Sequence, residues 1–180
     1  MPQVAGKSVF LVGPMGSGKT AVGRQLAARL GYRFVDSDAE IERRTGVDIP
    51  FIFEKEGEAG FRVREREVID ELSGREGVVL GTGGGAVLAE ETRERLAGRG
   101  VVVYLETSVD QQLVRTHKSR NRPLLFTDDP RVRLASLMAV REPLYRSIAA
   151  ITVHTDGRKV GSVVDEIADA LARQGFAHQE

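Results

Sequence analysis

The sequence contains no cysteine, so disulfides and thiolate metal ligands are excluded, and three scattered histidines argue against a zinc site. No apolar run approaches the roughly 18–20 residues needed to cross a bilayer. Residues 1–8 lack the charged start and apolar stretch of a signal peptide. There is also no excess charge of one sign, since acidic and basic residues number 26 each. We therefore expect a cytoplasmic protein with no membrane or nucleic-acid partner.

The length of 180 residues suffices for one compact domain with its own core, and not for two ordinary ones. Hydrophobic residues make up 41% and charged residues 29%, as in globular proteins. We expect a single domain over residues 1–180. Because the chain shows no conspicuous apolar heptads, we also expect a monomer.

Short apolar runs alternate along the chain with longer amphipathic stretches. The runs predict strands at 8–12, 32–35, 78–80, 101–105 and 151–154. Helical spacing predicts helices at 21–30, 39–44, 62–72, 131–148 and 160–172. This alternation predicts an α/β protein with a doubly wound parallel sheet and helices on both faces. Ligands of such sheets bind beyond the carboxyl ends of the strands, so functional residues should directly follow the strands.

The first predicted strand is followed at residues 13–20 by Gly-Pro-Met-Gly-Ser-Gly-Lys-Thr, which satisfies the motif G-x-x-x-x-G-K-[ST] in full. Its glycines let backbone N–H groups face one anion, and the next helix adds the positive end of its dipole. Lys19 can reach the β- and γ-phosphates, and the Thr20 hydroxyl can bind Mg²⁺. The motif predicts nucleotide binding without separating kinase, ATPase and GTPase. A GTP switch is disfavoured because no Asn-Lys-x-Asp follows a late strand.

Two carboxylates, Asp36 and Asp38, end the second predicted strand. At positions i and i+2 of an extended segment, both would face one site. One can hold the water shell of a metal while the other accepts a proton or hydrogen bond from a substrate hydroxyl. The alternative is that Ser37 or Asp38 caps the helix predicted at 39–44. The third strand ends in Gly81 without an acidic residue, which makes Asp36 the nearest replacement for a second metal carboxylate.

Three glycines, Gly83, Gly84 and Gly85, follow the third predicted strand. They suit a backbone that passes close to a ligand, or a plain flexible turn. Arg62 and Arg141 can each bind a carboxylate in bidentate fashion, with a salt bridge as the alternative for each.

A long polar connection, residues 117–130, is preceded by Arg115 and contains Arg122. A kinase must close over its substrates to keep water from the γ-phosphate, and a mobile lid carrying arginine can do this.

Together these residues resemble the shikimate kinase family, in its order and at its approximate spacing over nearly the whole chain. The motifs are residues 13–20, Asp36-Ser37-Asp38, 57–61 leading into Arg62, Gly83-Gly84-Gly85, Arg-Pro-Leu-Leu at 122–125 and Arg-Glu-Pro-Leu-Tyr at 141–145. The loop motif is shared with many NTPases, whereas the complete set is more specific.

The resemblance implies a three-layer αβα, nucleoside-monophosphate-kinase-like fold with a five-stranded parallel sheet. It places a lid at about 115–128 and a substrate-binding region at about 36–65. The implied reaction converts ATP-Mg²⁺ and shikimate to ADP and 3-phosphoshikimate, in aromatic amino acid (chorismate) biosynthesis.

The resemblance also implies residue roles. Catalysis would involve Lys19, Asp38 and Arg122. ATP would contact Gly16, Ser17, Gly18, Lys19, Thr20, Ala21, Arg115, Arg122 and Arg158. Shikimate would contact Asp38, Arg62, Glu65, Gly83, Gly84, Gly85 and Arg141. Mg²⁺ would be held by Thr20 and, through water, by Asp36.

Two alternatives remain at this point. A gluconate-kinase-like enzyme would share the phosphate loop but has less use for paired carboxylate-binding arginines. A non-catalytic nucleotide-binding regulator should have lost part of the set Lys19, Thr20, Asp36, Asp38 and Arg122, and the set is complete.

Overall fold

A computed structural model of the chain describes residues 6–116 and 129–175. Within these ranges five strands form one sheet of order β2-β3-β1-β4-β5, and all neighbouring strands are parallel. The strands are β1 Ser8–Val12, β2 Arg33–Asp36, β3 Val78–Gly81, β4 Gly100–Glu106 and β5 Ile151–His154. The predicted five-stranded parallel sheet is therefore confirmed, although β2 begins and ends one residue later than the apolar pattern indicated.

The helices of the described ranges connect these strands, except the last helix, which follows β5. They are α1 Lys19–Leu30, α2 Ser37–Thr45, α3 Ile49–Ser73, α4 Glu90–Arg99, α5 Val109–Thr116, α6 Pro130–Ile148 and α7 Val160–Arg173, with a 3₁₀ turn at Ala86–Leu88. The sequence pattern did not predict α4, α5 or the first half of α3. In the part of the chain that the structure describes, no helix has the length and apolarity to cross a membrane.

Helix α3 is two helical segments joined at a glycine. Gly57 has φ 70° and ψ −179°, which interrupts the helical backbone. Arg64 binds Glu56 across this break through two hydrogen bonds of 2.9 and 2.6 Å. The pair bridges the two segments, and the second segment carries Arg62 and Glu65.

Side chains of the central strands alternate between two cores. Val9 and Leu11 of β1 pack with α1 and α7 on one face of the sheet. Phe10 and Val12 pack with α2, α3, α4 and α6 on the other. Burial on both faces explains why this strand is apolar from Val9 to Val12, and it gives the three-layer architecture.

The carboxyl edge of the sheet is the place where a ligand can bind. The chain passes from β3 to β4 on the other side of β1, so the strand order reverses there. The loops after β1 and β3 are neighbours at this edge, because these strands pair directly. Such a switch point leaves a crevice between the two loops.

Candidate active site

The phosphate loop, residues 13–20, curls between β1 and α1. Gly16 and Gly18 have φ of 80° and 89°, a conformation that favours glycine. Gly18 is the N-cap of α1. The Lys19 ammonium lies over the loop and donates to the carbonyl oxygens of Gly13 (2.6 Å) and Pro14 (2.9 Å). The loop and the helix N-terminus together form the anion-binding geometry that the motif predicts.

A cavity of about 290 Å³ opens beside this loop. It brings together residues from the ends of three strands. Those expected from the sequence are Gly16, Gly18, Lys19, Thr20, Ala21, Asp36, Asp38, Gly83, Gly84 and Arg115. Met15 and Thr82 also line it and were not predicted. The phosphate loop, the two aspartates and part of the glycine triplet thus share one crevice.

The two aspartates reach the cavity from different local structures. Asp36 ends β2 and is the N-cap of α2, where its Oδ1 accepts from the Ala39 N–H at 2.9 Å. Its Oδ2 accepts from the Thr20 hydroxyl at 3.4 Å. The alternative that Ser37 or Asp38 caps this helix is therefore wrong, because the helix begins at Ser37 and its N-cap is Asp36. Asp38 lies in the helix and not in an extended segment. The prediction that positions i and i+2 of a strand orient both carboxylates is therefore also wrong, although both side chains line the cavity.

Two glycines of the triplet lie directly against charged side chains. A Cβ on Gly83 would stand 2.8 Å from Glu65 Oε2 and 2.9 Å from Asp38 Oδ1. A Cβ on Gly85 would stand 2.4 Å from Arg62 Nη2. Because a methyl group at either position would force these charged side chains to move, close approach of side chains explains the triplet better than a plain flexible turn.

Arg62 is held by two carboxylates of α3. It donates to Glu65 Oε1 at 2.8 Å and to Glu58 Oε1 at 3.2 Å. Burial raises the pKa of the Glu65 carboxyl above its ordinary value, although the charge of Arg62 acts against this shift. Arg62 Nε and Glu65 Oε2 are buried and have no hydrogen-bond partner among the described residues. The salt-bridge alternative thus holds for Arg62, but the pair retains unused hydrogen-bonding capacity.

Arg141 of α6 differs from Arg62. It is only 3% exposed, and no carboxylate of the described residues lies within 4.0 Å of its guanidinium. Burial lowers the pKa of Arg141 from its ordinary value, and the charge of Arg62 acts in the same direction. A guanidinium nevertheless stays charged in proteins, and a buried charge needs a partner. The salt-bridge alternative therefore fails for Arg141 within these ranges, and an anionic ligand would satisfy it.

The remaining predicted arginines are placed differently. Arg115 of α5 donates to the Gly16 carbonyl at 2.9 Å, which brings it to the phosphate loop. Arg158 donates to Glu166 at 2.7 Å and does not line the cavity. Arg122 and most of the expected lid at about 115–128 lie outside the described residues.

Two further residues hold the glycine triplet and were missed by the sequence reasoning. The buried Ser37 hydroxyl accepts from the Gly83 N–H at 3.1 Å. The Tyr145 hydroxyl donates to the Gly84 carbonyl at 2.5 Å. Tyr145 follows Arg141 by four residues, so the spacing that places both on one helix face was a signal available in the sequence.

A parallel sheet of this order, with a phosphate loop after its central strand and an acidic, arginine-containing crevice beside it, defines a P-loop kinase of small molecules. The family model for shikimate kinase matches residues 15–172. The chain belongs to the shikimate kinase family. The resemblance drawn from its motifs is therefore confirmed.

Similar proteins cover almost the whole chain. It is 58% identical over 169 residues to the shikimate kinase of Methylococcus capsulatus, covering 94% of both chains. It is 60% identical over 166 residues to that of Halorhodospira halophila, covering 92% of this chain and 94% of the relative. A solved shikimate kinase from Acinetobacter baumannii, in complex with shikimate, is 48% identical with a TM-score of 0.92, over 95% of this chain and 96% of the other.

Replacing Gly85 by alanine should weaken acceptor binding without unfolding the protein. Its φ of −97° suits alanine, so the effect comes from the methyl group displacing the Arg62 guanidinium. We expect the KM for the acceptor to rise about 10-fold or more, the cost of one charged hydrogen bond, with the KM for ATP unchanged. The matched control is Gly98→Ala, where nothing lies within 4 Å of the new Cβ. Equal kinetics for the two variants would contradict this account of the triplet.

Proposed function

We propose that this chain transfers the γ-phosphate of ATP to the 3-hydroxyl of shikimate, giving ADP and 3-phosphoshikimate on the route to chorismate and the aromatic amino acids. The observation that supports an anionic acceptor is the environment of Arg141. This guanidinium is buried, and no carboxylate of the described residues lies within 4.0 Å of it. It approaches Gly84, which lines the same cavity as the phosphate loop. The names of the relatives and the shikimate complex of the Acinetobacter baumannii protein support the same acceptor.

In this proposal the acceptor is held by groups on three elements. Arg141 binds its carboxylate with a planar pair of N–H donors, and Arg62 adds a second guanidinium. Asp38 accepts hydrogen bonds from its hydroxyl groups. Glu65 keeps Arg62 in place through their 2.8 Å contact. The three glycines of 83–85 let the backbone pass close to the acceptor.

ATP occupies the phosphate loop, where residues 16–21 surround its phosphates. Arg115 lies beside this loop, and we assign it to the adenine side together with Arg158. We assign Arg122 to the phosphates, on a lid at about 115–128. The region at about 36–65, which includes the broken helix α3, forms the acceptor side of the single domain.

The residues near Thr20 fit a magnesium ion. The Thr20 hydroxyl and Asp36 Oδ2 are neighbouring oxygen atoms, the ligand type that Mg²⁺ prefers. Among the described residues no group of three or more His, Cys, Asp or Glu could hold a metal. Because Mg²⁺ commonly keeps several waters and is held through one or two carboxylates plus substrate phosphates, we assign Asp36 to the ion through water. When bound, Mg²⁺ neutralises charge on the β- and γ-phosphates.

The transfer step follows from these positions. The acceptor oxygen forms a bond to the γ-phosphorus while the bond from that phosphorus to the β–γ bridging oxygen breaks, which releases ADP. The hydroxyl proton passes to the Asp38 carboxylate. Lys19 and Arg122 stabilise the charge on the transferring group, since positioning and electrostatics supply most of the catalysis in phosphoryl transfer.

The product identifies the reaction. Protein incubated with ATP-Mg²⁺ and shikimate should yield one phosphate ester, with its phosphorus coupled to the proton at carbon 3 in a two-dimensional phosphorus–proton NMR spectrum. Gluconate in place of shikimate should yield none. An ester at another carbon, or efficient phosphorylation of gluconate, would overturn the acceptor assignment.

Replacing Arg141 by lysine should raise the KM for shikimate about 10- to 100-fold, because an ammonium group cannot reproduce the bidentate contact to a carboxylate. The KM for ATP should not change. Arg146→Lys is the control on the same helix, since Arg146 is exposed and pairs with Glu142 at the surface. A defect confined to ATP would contradict the assignment.

We further propose a cytoplasmic monomer without a nucleic-acid partner. The equal numbers of acidic and basic residues support the last point. Light scattering at micromolar concentration checks the oligomeric state, and a dimer mass would contradict it.

A further inference from the structure

The glycine triplet forms a tight turn, and its central peptide is held in one of the two orientations that such turns adopt. The Ala86 N–H donates to the Gly83 carbonyl at 3.1 Å, which closes a four-residue turn. Gly85 has φ −97° and ψ 6°, the values of the third residue of a type I turn. A type II turn differs by a flip of the peptide between Gly84 and Gly85, and it requires positive φ at the third residue. Because that residue is glycine, the flipped turn is sterically accessible.

One side chain holds this peptide in its observed orientation. The Tyr145 hydroxyl donates to the Gly84 carbonyl at 2.5 Å, and Tyr145 is fully buried. Burial raises the pKa of the Tyr145 phenol above its ordinary value, so it remains a donor at neutral pH. Its ring stacks on Tyr104 of β4 with 5.1 Å between centroids. Packing therefore holds the ring that carries this hydroxyl donor in place.

The orientation of this peptide also fixes the direction of its N–H group. In a trans peptide the Gly85 N–H points opposite to the Gly84 carbonyl. Since Tyr145 holds the carbonyl toward α6, the Gly85 N–H is directed to the other side of the turn. Arg141, one helical turn before Tyr145, approaches the same glycine, with Nη1 3.4 Å from the position of a Gly84 Cβ. One face of α6 thus supplies both a guanidinium beside the turn and the hydroxyl that sets its peptide.

We propose that Tyr145 is a positioning residue for acceptor binding: its hydroxyl locks the Gly84–Gly85 peptide in the type I orientation and so holds the glycine turn in the form that lies beside the Arg141 guanidinium, the group that binds an anionic acceptor. This inference rests on the proposed function for the identity of that acceptor. Without the hydroxyl, the turn populates both orientations. The affinity for the acceptor then falls in proportion to the population of the type I orientation that is lost.

Two explanations compete with this one: Tyr145 only fills the core, or its hydroxyl acts directly on the Arg141 guanidinium, with which it also interacts. A neighbouring tyrosine tests the first. The Tyr104 hydroxyl is buried and has no hydrogen-bond partner among the described residues. Tyr145→Phe and Tyr104→Phe each remove one hydroxyl from the same stacked pair and keep both rings. If the tyrosines act through packing alone, the two variants should behave alike.

The experiment is titration calorimetry of shikimate and, separately, of ATP-Mg²⁺ with the wild type and both variants. For Tyr145→Phe we expect the Kd for shikimate to rise about 3- to 10-fold, the loss of one neutral hydrogen bond, with the Kd for ATP unchanged. Tyr104→Phe should bind both ligands as the wild type does. In Tyr145→Phe the NMR resonances of the Gly84 and Gly85 amides should shift or broaden as the turn populates both orientations; unchanged amides with weakened shikimate binding would mean that the hydroxyl acts through Arg141 instead.

The outcomes separate this inference from the proposed function. If the wild type binds ATP but not shikimate, the proposed function fails. If the wild type binds shikimate and Tyr145→Phe binds it equally well, or loses ATP to the same extent, the positioning role is wrong. A measurement on the wild type needs no variant: the Gly84 and Gly85 amides should each give one NMR resonance. Two sets of resonances in slow exchange would show that the turn is not locked.

Discussion

Replacing Lys19 by alanine should lower the rate of phosphoryl transfer by about three orders of magnitude or more while the protein stays folded. The Lys19 ammonium donates to the carbonyls of Gly13 and Pro14 and to the Ser17 hydroxyl, all in its own loop. It lies within reach of the β- and γ-phosphates, where its charge is needed as the γ-phosphoryl group moves. Because the side chain contributes nothing to either core, its loss should not disturb folding.

Steady-state ADP release and a thermal melt test this expectation together. Lys7→Ala is a matched control, because Lys7 is exposed just before β1, at the end of the strand away from the crevice. Turnover of Lys19→Ala close to that of Lys7→Ala, at similar stability, would remove the phosphate-loop argument. A large drop in melting temperature would instead mean that Lys19 has a structural role.

The second large effect is expected for Asp38→Asn, which should lower kcat by about 10²- to 10⁴-fold, the usual contribution of a positioned general base. Asparagine keeps the size of the side chain and one acceptor oxygen, so the acceptor hydroxyl can still be contacted. It cannot take up the proton. The KM for shikimate should therefore change much less than kcat.

Asp48→Asn provides the comparison for Asp38→Asn. Asp48 is the N-cap of α3, where its Oδ1 accepts from the Phe51 N–H at 2.9 Å. Asparagine caps helices about as well as aspartate, so this variant should be nearly silent. If Asp38→Asn is equally silent, Asp38 is a structural residue. If only its KM rises, Asp38 binds the acceptor without serving as a base.

Much of the fold was predictable because it depends on patterns local in sequence. Four residues of β1, Val9 to Val12, are apolar, and the structure places them between two cores. Helix α4 was missed because only Thr92 and Leu96 of its ten residues are buried, which leaves almost no apolar period. The first half of α3 was missed because Gly57 indicates a turn, so the helix was predicted only after it. In the structure a helical segment also precedes this glycine.

The site was predictable as a set of residues but not as a set of contacts. The sequence offered both a salt bridge and a ligand role for Arg62 and Arg141, and nothing local could separate them. The structure separates them because Glu65 lies beside Arg62, and no described carboxylate lies within 4.0 Å of Arg141. The Tyr145 contact to Gly84 spans 61 positions of the chain, so only the fold reveals it.

The most direct test of the central claim is ADP release by the purified protein with ATP-Mg²⁺, measured alone, with shikimate and with gluconate. We expect strong stimulation by shikimate and none by gluconate, which would establish the acceptor and the reaction class together. If neither acceptor stimulates turnover while ATP still binds, the phosphate loop stands. The acceptor assignment would then be wrong, and a non-catalytic nucleotide-binding regulator would be the better description.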